Sequence, residues 1–289
     1  MFYVDNFGHL SKFFDSIDVI PGIAKISYHF INTGRSMKKS FIIGVSVFAM
    51  LLVSCASQQK VKAKQLYDCS NKVQDALVKY NKKKFSAAQY LLDDVITKCP
   101  GHSAMDTAIF YLAKSWLGMK KPDEAKTDFD RLLQSFPNSA FSEEAHYLIG
   151  YSSYLASNPW YLDQASTKLA EQKLKEFIET FPKSPFIDSA QFYIVQCQEK
   201  LAEKQLQAAR FYEKINQLES AIVYYKSLAE DFPDSKLIDE SKLGTAEDLH
   251  KLNRDSEADA ILEELALQTK DPAMLKKVGA LKMKISAKK

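Results

Sequence analysis

The residue best placed for covalent chemistry is Cys55, which stands at the end of an export-type signal. Two lysines follow Met37, an apolar run fills residues 41–53, and small residues surround the cysteine. This order of basic, apolar and small residues is typical of an export signal. The apolar run is shorter than the roughly 20 residues that a helix needs to cross a bilayer, so a permanent membrane span is the weaker interpretation.

The tetrapeptide Leu52-Val53-Ser54-Cys55 resembles the lipobox of bacterial lipoproteins. In that motif the cysteine thiol takes a diacylglyceryl group, and cleavage then makes the cysteine the mature N-terminus. Several acyl chains on one residue give stable anchoring, whereas a single chain binds a membrane only marginally. Ala56 follows the cysteine, not an aspartate, which favours the outer membrane. We therefore predict lipidation of Cys55 and attachment at the periplasmic face of the outer membrane; an ordinary secretory signal with an incidental cysteine is the alternative.

The signal begins well inside the chain, at Met37. An export signal does not normally follow a folded segment, so we predict that translation starts at Met37 and that residues 1–36 are a non-native upstream extension. Residues 37–54 are then the lipoprotein signal peptide. Residues 55–63 are a tether between the lipid and the body of the protein.

The remaining cysteines, Cys69, Cys99 and Cys197, show neither C-x-x-C spacing nor a neighbouring pair of histidines. A zinc site or a thioredoxin-like redox site is therefore not supported. We interpret each of the three as a small buried apolar residue. A bridge between Cys69 and Cys99 is an alternative that the spacing alone does not support.

Signatures of enzyme chemistry are missing from the sequence. The histidines that follow the signal stand in different repeat units, and no H-E-x-x-H, G-x-S-x-G or glycine-rich phosphate loop occurs. The formal net charge is only +3, and the basic residues are interleaved with acidic ones, which argues against nucleic acid as a partner. We expect a protein that is not an enzyme, with no catalytic residues, no metal site and no cofactor.

A repeated helical pattern fills the rest of the chain. An alanine stands twelve residues before each of four prolines, and a fifth alanine continues the series. An apolar or aromatic residue follows each alanine at the fourth position and again at the seventh, a spacing that puts all three on one helical face. We predict that these faces are buried. The alanines are Ala88, Ala125, Ala170, Ala221 and Ala258; the residues four later are Leu92, Phe129, Leu174, Tyr225 and Leu262; those seven later are Val95, Leu132, Phe177, Leu228 and Leu265.

Each unit also has a preceding helix with a small residue near its middle, such as Ala113 or Gly150. A small side chain lets two antiparallel helices approach closely. The proline then ends the second helix, because the residue before a proline disfavours the helical conformation. These features resemble the tetratricopeptide repeat. We predict an all-α solenoid of about five tetratricopeptide-like hairpins, stacked as a right-handed superhelix over residues 64–276, and a basic C-terminal tail at residues 277–289.

The third unit carries an insertion with the sequence Ser157-Asn158-Pro159-Trp160-Tyr161. Pro159 interrupts the helix, and two large aromatic residues in a loop either pack back onto the solenoid or contact a partner. Trp160 and Tyr161 are therefore candidate partner-binding residues.

Four segments have a more specific pattern. They are Asp163-Gln164 followed by Thr167 and Ala170, then Phe181-Pro182-x-Ser184, then Leu201-Ala202-x-x-Gln205-Leu206-x-Ala208-Ala209-Arg210-Phe211-Tyr212, and then Ala221-Ile222. Together they resemble the BamD family, the lipoprotein of the outer-membrane β-barrel assembly machine. With the lipobox and five repeats, the resemblance covers essentially the whole mature chain.

This sequence departs from that family at two positions. Gln205 stands where the family usually has a glutamate. Tyr225 stands where the family often has an arginine that contacts the periplasmic domain of the barrel insertase, and Lys226 is the next residue. By this resemblance, Tyr225 and Lys226 become candidate partner-binding residues.

The resemblance implies a lipid-anchored scaffold with two kinds of protein partner. Its N-terminal repeats would receive unfolded outer-membrane barrel precursors, and its C-terminal repeats would dock on the barrel insertase. The alternative is a periplasmic tetratricopeptide adaptor in peptidoglycan synthesis or envelope division.

Overall fold

The computed structural model of the chain describes residues 67–288, which form eleven α-helices and no strand. The predicted upstream extension, signal peptide, Cys55 and tether lie outside these residues. The helices are α1 (Cys69–Asn81), α2 (Phe85–Lys98), α3 (Met105–Gly118), α4 (Pro122–Ser135), α5 (Ser142–Leu155), α6 (Ala165–Thr180), α7 (Ile187–Lys214), α8 (Leu218–Asp231), α9 (Ile238–Lys251), α10 (Asp255–Gln268) and α11 (Pro272–Lys288).

Consecutive helices pair into five hairpins, from α1–α2 to α9–α10, and α11 packs on the last pair. The predicted all-α solenoid of about five hairpins is therefore confirmed. The third hairpin has a long loop, whereas the turn inside each of the other four contains one non-glycine residue with a left-handed backbone. These residues are Lys83 (φ 55°), Lys120 (φ 60°), Asn216 (φ 57°) and Asn253 (φ 62°).

The recurrent alanines and the residues four and seven positions later form the buried faces that their spacing predicts. All five alanines are completely buried, and each of the ten following residues is at most 3% exposed. Full burial of a large apolar side chain contributes roughly 1.5–3 kcal/mol. Because each hairpin repeats the same three positions, adjacent hairpins share a core that continues along the stack.

The small residues of the preceding helices allow the close packing that the sequence indicates. Ala113 is completely buried. A Cβ atom added to Gly150 would lie only 2.7 Å from Cγ of Leu174, a residue of the buried face of α6. Glycine at this position therefore lets α5 and α6 approach to a distance that a larger residue would prevent.

The end of the chain corrects one prediction. Residues 277–289 are not a basic tail beyond a solenoid that ends at residue 276, because α11 continues to Lys288. Met274, Val278, Leu281 and Ile285 are all buried. Their spacing of four, three and four residues forms one apolar face of a helix. The lysines that suggest a tail occupy the other faces, and α11 covers the end of the core.

Two of the cysteines form the bridge that the sequence left as an alternative. A disulfide joins Cys69, the first residue of α1, to Cys99, the residue after α2, with their Cα atoms 6.1 Å apart. The two residues are 30 positions apart in sequence, but the first hairpin brings its open ends together. Cys197 is buried and free, as predicted.

The helix α7 divides the array into two parts. It has 28 residues, whereas α8 has 14. Its first half packs against α6, where Gln198 Nε2 donates to Glu171 Oε1 over 3.0 Å. Its second half packs against α8, where Gln205 Nε2 donates to Asp231 Oδ2 over 2.8 Å. A helix rises 1.5 Å per residue, so the last two hairpins are displaced along α7 by about 20 Å relative to the first three. We call this displacement the step.

Candidate partner-binding surfaces

The loop between α5 and α6, residues 156–164, is held from inside by Gln164, which is only 5% exposed. The amide nitrogen of Gln164 donates to the carbonyl oxygens of Pro159 (2.7 Å) and Leu162 (3.2 Å). The amide oxygen accepts a hydrogen bond of 2.7 Å from the hydroxyl of Thr167, which is completely buried. Leaving a buried polar group without its partner costs about 1–3 kcal/mol, so these bonds favour one loop conformation.

Two lysines of α7 hold the same loop from outside. Lys200 Nζ donates to the hydroxyl of Ser157 over 2.5 Å, and Lys204 Nζ donates to the carbonyl oxygen of Leu162 over 2.7 Å. Burial lowers the pKa of Lys200, and its ammonium lies 5.3 Å from the centre of the Tyr154 ring in α5. The loop is thus fixed to the helix at which the step begins.

Three large side chains of this fixed loop are exposed to solvent, beside the polar Asn158 and Asp163. Trp160 is 37% exposed, Tyr161 is 64% exposed and Leu162 is 47% exposed. The Trp160 and Tyr161 rings pack edge to face, with their centroids 5.4 Å apart. Exposed aromatic residues on a restrained support are suited to binding, because little conformational entropy is lost on contact. That Trp160 and Tyr161 bind a partner stays a prediction, and the exposure of both side chains is consistent with it.

A cleft of about 590 Å³ opens at the step. It lies between the start of α6, the middle of α7 and the end of α8. The sequence alone did not predict it, although a signal was present: Ala170 and Ala221 are farther apart than any other neighbouring pair of the recurrent alanines. Its charged lining residues are Asp163, Lys168, Lys204 and Asp231, and Leu201, Ala208 and Tyr224 also line it.

Tyr225 is not a contact residue, which corrects another prediction. The side chain is 3% exposed, and its hydroxyl donates a hydrogen bond of 2.8 Å to Glu213 Oε2. Burial, followed by the hydrogen bond to the Glu213 carboxylate, raises its pKa far above the usual range. The reason is its place in the repeat: a residue four positions after the recurrent alanine faces the core. Lys226, the next residue, is exposed on α8.

Around Tyr225 lies a polar cluster formed by Glu213, Asp248 and Lys251. Lys251 Nζ lies 2.7 Å from Asp248 Oδ1 and 3.4 Å from Glu213 Oε1. The Asp248 side chain is completely buried, and this burial, together with the neighbouring Glu213 carboxylate, raises its pKa to about 6 against the opposing effect of Lys251. The cluster joins α7, α8 and α9 just beyond the step.

A row of partly exposed aromatic rings lies on the first helices of the first four hairpins. Tyr80 and Tyr111 join α1 to α3, with ring centroids 5.1 Å apart. Tyr193 of α7 lies 4.9 Å from Tyr151 and 4.8 Å from Tyr154, both on α5. Burial and a hydrogen bond with Tyr151 raise the pKa of Tyr193 to about 12. We call these five tyrosines the aromatic row.

Residues 67–288 show neither a metal site nor a membrane span. No group of three or more His, Cys, Asp and Glu residues in this part of the chain could hold a metal ion. Within the same residues, no helix is both long and apolar enough to cross a membrane.

Residues 59–260 match the model of the YfiO family, which is described as an outer membrane lipoprotein. The outer membrane protein assembly factor BamD of Pasteurella multocida is 22% identical over 231 residues, which cover 76% of this chain and 86% of that protein.

Solved structures of tetratricopeptide repeat proteins are also similar to this chain. One from Parabacteroides merdae is 15% identical, with 79% of this chain and 74% of that chain covered and a TM-score of 0.37. A thermophilic one from Thermus thermophilus is 15% identical, with 75% of this chain and 100% of that chain covered and a TM-score of 0.33.

Proposed function

Because the chain belongs to the YfiO family of outer membrane lipoproteins, we propose that it is a scaffold subunit of the machine that assembles β-barrel proteins in the outer membrane. The observation that carries this proposal is the family match over residues 59–260. The likeness to a relative named as an outer membrane protein assembly factor, which extends over 86% of that relative, supports it. The role is binding, not catalysis.

On this proposal, the first three hairpins receive unfolded barrel precursors. A strand of a membrane barrel alternates apolar and polar side chains, so an unfolded precursor exposes many isolated apolar groups. The aromatic row offers rings with a polar hydroxyl edge, and Lys114 lies 5.1 Å above the Phe110 ring beside it. Aromatic side chains provide large contact areas, and their pairs prefer offset or edge-to-face contacts. Contacts of this kind support brief capture and release.

The last two hairpins would dock on the periplasmic domain of the barrel insertase. Lys226 is exposed on α8 and offers a positive charge to such a partner. The neighbouring Tyr225 holds Glu213 within the polar cluster and so fixes α8 to α7. In this arrangement Lys226 makes the contact, whereas Tyr225 supports the helix that presents it.

Lipidation of Cys55 would hold both surfaces beside the membrane in which barrels are inserted. Twelve positions separate Cys55 from Tyr67, the first described residue. A chain of that length spans at most about 40 Å when fully extended, so a lipid on Cys55 would keep Tyr67 within that distance of the membrane.

Depletion of the chain from growing cells tests the proposal. We expect the amounts of several barrel proteins in the outer membrane to fall together, with unfolded precursors accumulating in the periplasm. Re-expression of the full chain must restore them. Normal barrel levels, accompanied by altered peptidoglycan or blocked division, would instead identify an envelope adaptor and overturn the proposal.

A further inference from the structure

The turn inside the first hairpin and the turn inside the second lie side by side. The hydroxyl of Ser86, at the start of α2, donates to Met119 Sδ over 3.1 Å. A Cβ atom added to Gly118, the last residue of α3, would lie 2.5 Å from Cγ of Phe85. The fold therefore brings together two turns whose contacting residues are 33 positions apart in sequence.

These two turns and the helix ends that flank them are rich in lysine and poor in carboxylates. Residues 78–88 contain four lysines and no acidic residue, and residues 115–125 contain two lysines and two acidic residues, Asp123 and Glu124. Six positive charges therefore stand against two negative ones. We call the surface that these lysines form the lysine edge; its members are Lys79, Lys82, Lys83, Lys84, Lys120 and Lys121.

Most of the charge on the lysine edge is not balanced by the rest of the described chain. Lys121 Nζ lies 3.8 Å from Glu124 Oε1, and both side chains are half exposed. None of the other five lysines has an ion pair within residues 67–288. With Asp123 counted against these five, a net charge of four remains to attract an anionic partner. The members that are exposed and unpaired are Lys82, Lys83, Lys84 and Lys120.

From this charge we propose a second contact with the membrane, in addition to the anchor predicted at Cys55: the lysine edge binds the phosphate headgroups of anionic phospholipids at the membrane surface. The binding comes from several weak attractions and not from one pocket, and each lysine near the surface adds to it. These attractions act over about 10 Å at 0.1 M salt. The contact orients the solenoid, with the turns of its first two hairpins against the membrane.

The residue type favours a lipid surface over an acidic protein as the partner. Protein interfaces are depleted in lysine and enriched in arginine, whose planar guanidinium forms paired hydrogen bonds with carboxylates. Lysine has a strongly hydrated charge on a flexible stem, which suits headgroups that exchange freely. The lysine edge contains no arginine. The arginines within residues 67–288 lie elsewhere and each already pairs with a carboxylate; they are Arg131, Arg210 and Arg254.

The position of the lysine edge also fits a membrane contact. The segment between Cys55 and the first described residue carries Lys60, Lys62 and Lys64 and no acidic residue, so its charge has the same sign. This segment leads to α1, whose 13 residues place the first turn about 20 Å from the start of the helix. That distance is shorter than the limit of about 40 Å for the extended segment. A lipid on Cys55 and the lysine edge can therefore reach the same membrane.

This proposal does not depend on barrel assembly, because vesicles that contain no other protein test it. Normal barrel levels after depletion would leave the lipid contact standing, and a failure of the vesicle experiment would leave barrel assembly standing. A free phosphate ion and an acidic protein are the other occupants that the experiment must separate.

Chemical footprinting of the full chain in vesicles tests the contact. The chain is isolated from cells and reconstituted into vesicles of phosphatidylcholine, either alone or mixed with phosphatidylglycerol, and mass spectrometry measures the acetylation rate of each lysine. We expect the exposed members of the lysine edge to react at least threefold more slowly in the anionic vesicles. Sodium chloride at about 0.5 M should restore their rates, because it shortens the range of the attraction.

Lys183 and Lys270 are the internal controls for these rates. Both are exposed in the turns after α6 and α10. Because successive helices alternate in direction, those turns lie on the edge of the array opposite to the lysine edge. The two control lysines should react equally fast in both kinds of vesicle.

Three results would overturn the proposal. The first is an equal rate for the lysine edge in both kinds of vesicle, or an equal slowing of the control lysines. The second is a slowing in neutral vesicles to which millimolar inorganic phosphate is added, which would indicate a site for a small anion. The third is protection in isolated outer membranes without protection in anionic vesicles, which would identify an acidic protein as the occupant.

Two variants with the same change in net charge then separate the lysine edge from the overall charge. One combines Lys82→Glu with Lys84→Glu, the other combines Lys183→Glu with Lys270→Glu, and Lys120 is the reporter in both. We expect the slow acetylation of Lys120 in anionic vesicles to be lost in the first variant and kept in the second. All four substituted lysines are exposed, so both variants should keep the melting temperature of the parent; if the first does not, Lys82→Gln with Lys84→Gln replaces it. Equal protection of Lys120 in the two variants would contradict the proposal.

Discussion

The ring of Tyr225 occupies the space that a side chain at Gly244 would need. A Cβ atom added to Gly244 would lie 2.6 Å from Cζ of Tyr225 and 3.0 Å from its hydroxyl oxygen. The two residues lie on α8 and α9, so their contact sets the distance between the fourth and fifth hairpins. The same tyrosine also bonds to Glu213 on α7. Three helices are therefore joined at one side chain.

Replacing Gly244 should destabilise this junction. We expect Gly244→Ala to lower the free energy of unfolding by about 1–3 kcal/mol, because an overpacked core must shift its helices or its side chains. Urea unfolding followed by circular dichroism measures the change.

The matched control is Gly279→Ala on α11, where an added Cβ meets no atom within 4 Å. Alanine is the better helix former, so this variant should be stabilised by about 0.4–1 kcal/mol. Equal effects at the two glycines would show that the Tyr225 contact does not restrict position 244.

Asp248 should make stability depend on pH in a direction opposite to that of an ion-paired surface carboxylate. Its folded pKa of about 6 lies above the ordinary value of 3.8, so between these values the folded chain binds more protons than the unfolded chain. Its contribution to stability is fully present below about 3.8 and is lost as the pH rises through about 6. Asp248→Asn cannot ionise, and we expect it to raise the urea midpoint above that of the parent at about pH 8 and to flatten the profile.

Asp234→Asn provides the control for this pH profile, because Asp234 is exposed in the turn after α8. It should leave both the midpoint and its pH dependence unchanged. A parent profile that shows no fall between about pH 4 and pH 7, or an unchanged profile for Asp248→Asn, would contradict the raised pKa of Asp248.

The disulfide between Cys69 and Cys99 should stabilise the first hairpin. That hairpin has a neighbour on one side only among the described helices, so it depends on the bridge more than an internal hairpin would. We expect the Cys69→Ser, Cys99→Ser double variant to lose about 2–4 kcal/mol from that hairpin. Limited proteolysis should cut it first between α1 and α2. A reductant should make the parent chain as sensitive to the protease as the double variant, and it should not change the double variant. A parent chain whose proteolysis is the same with and without the reductant would argue against the bridge.

Cys55→Ser should release the chain from the envelope. On the proposed lipidation, a serine hydroxyl cannot form the thioether that would anchor the chain. Fractionation should move nearly all of the variant from the membrane to the soluble fraction, whereas Ser54→Ala, a neighbouring small-residue change, should leave the chain attached. Firm attachment of the Cys55→Ser variant to the membrane would contradict anchoring through a lipid on Cys55.

The repeat spacing in the sequence predicts much of this fold because burial follows directly from helical periodicity. Ala125, Phe129 and Leu132 illustrate this: their separations of four and seven residues determine which face is covered. Tyr225 occupies the corresponding position in the fourth unit, and its burial follows from the same rule. Its assignment as a contact residue gave the family resemblance more weight than the periodicity, and the periodicity was the better guide.

The features that the sequence did not predict depend on long-range geometry. The spacing of Cys69 and Cys99 carries no information about their pairing until the first hairpin closes. The apolar face of α11 has helical spacing in the sequence, and its interpretation as a tail gave the lysines too much weight; its burial depends on the surface that α9 and α10 provide. Phe211 is exposed because α6 begins at Ala165 and does not extend as far as Phe211. The pattern of one helix does not show how far its neighbour extends.

Purification of the full chain with its natural partners tests the central claim most directly. The tagged chain, expressed from its own locus, is isolated from detergent-solubilised membranes, and co-purifying proteins are quantified by mass spectrometry. We predict that a barrel insertase is recovered in an amount nearly equal to that of the tagged chain. Lys226→Glu should reduce the recovery of the insertase several-fold. The Trp160→Ala, Tyr161→Ala double variant should reduce the recovery of a partner protein without lowering the melting temperature of the chain. A purified chain that lacks any barrel insertase, and instead retains enzymes of peptidoglycan synthesis, would contradict the account.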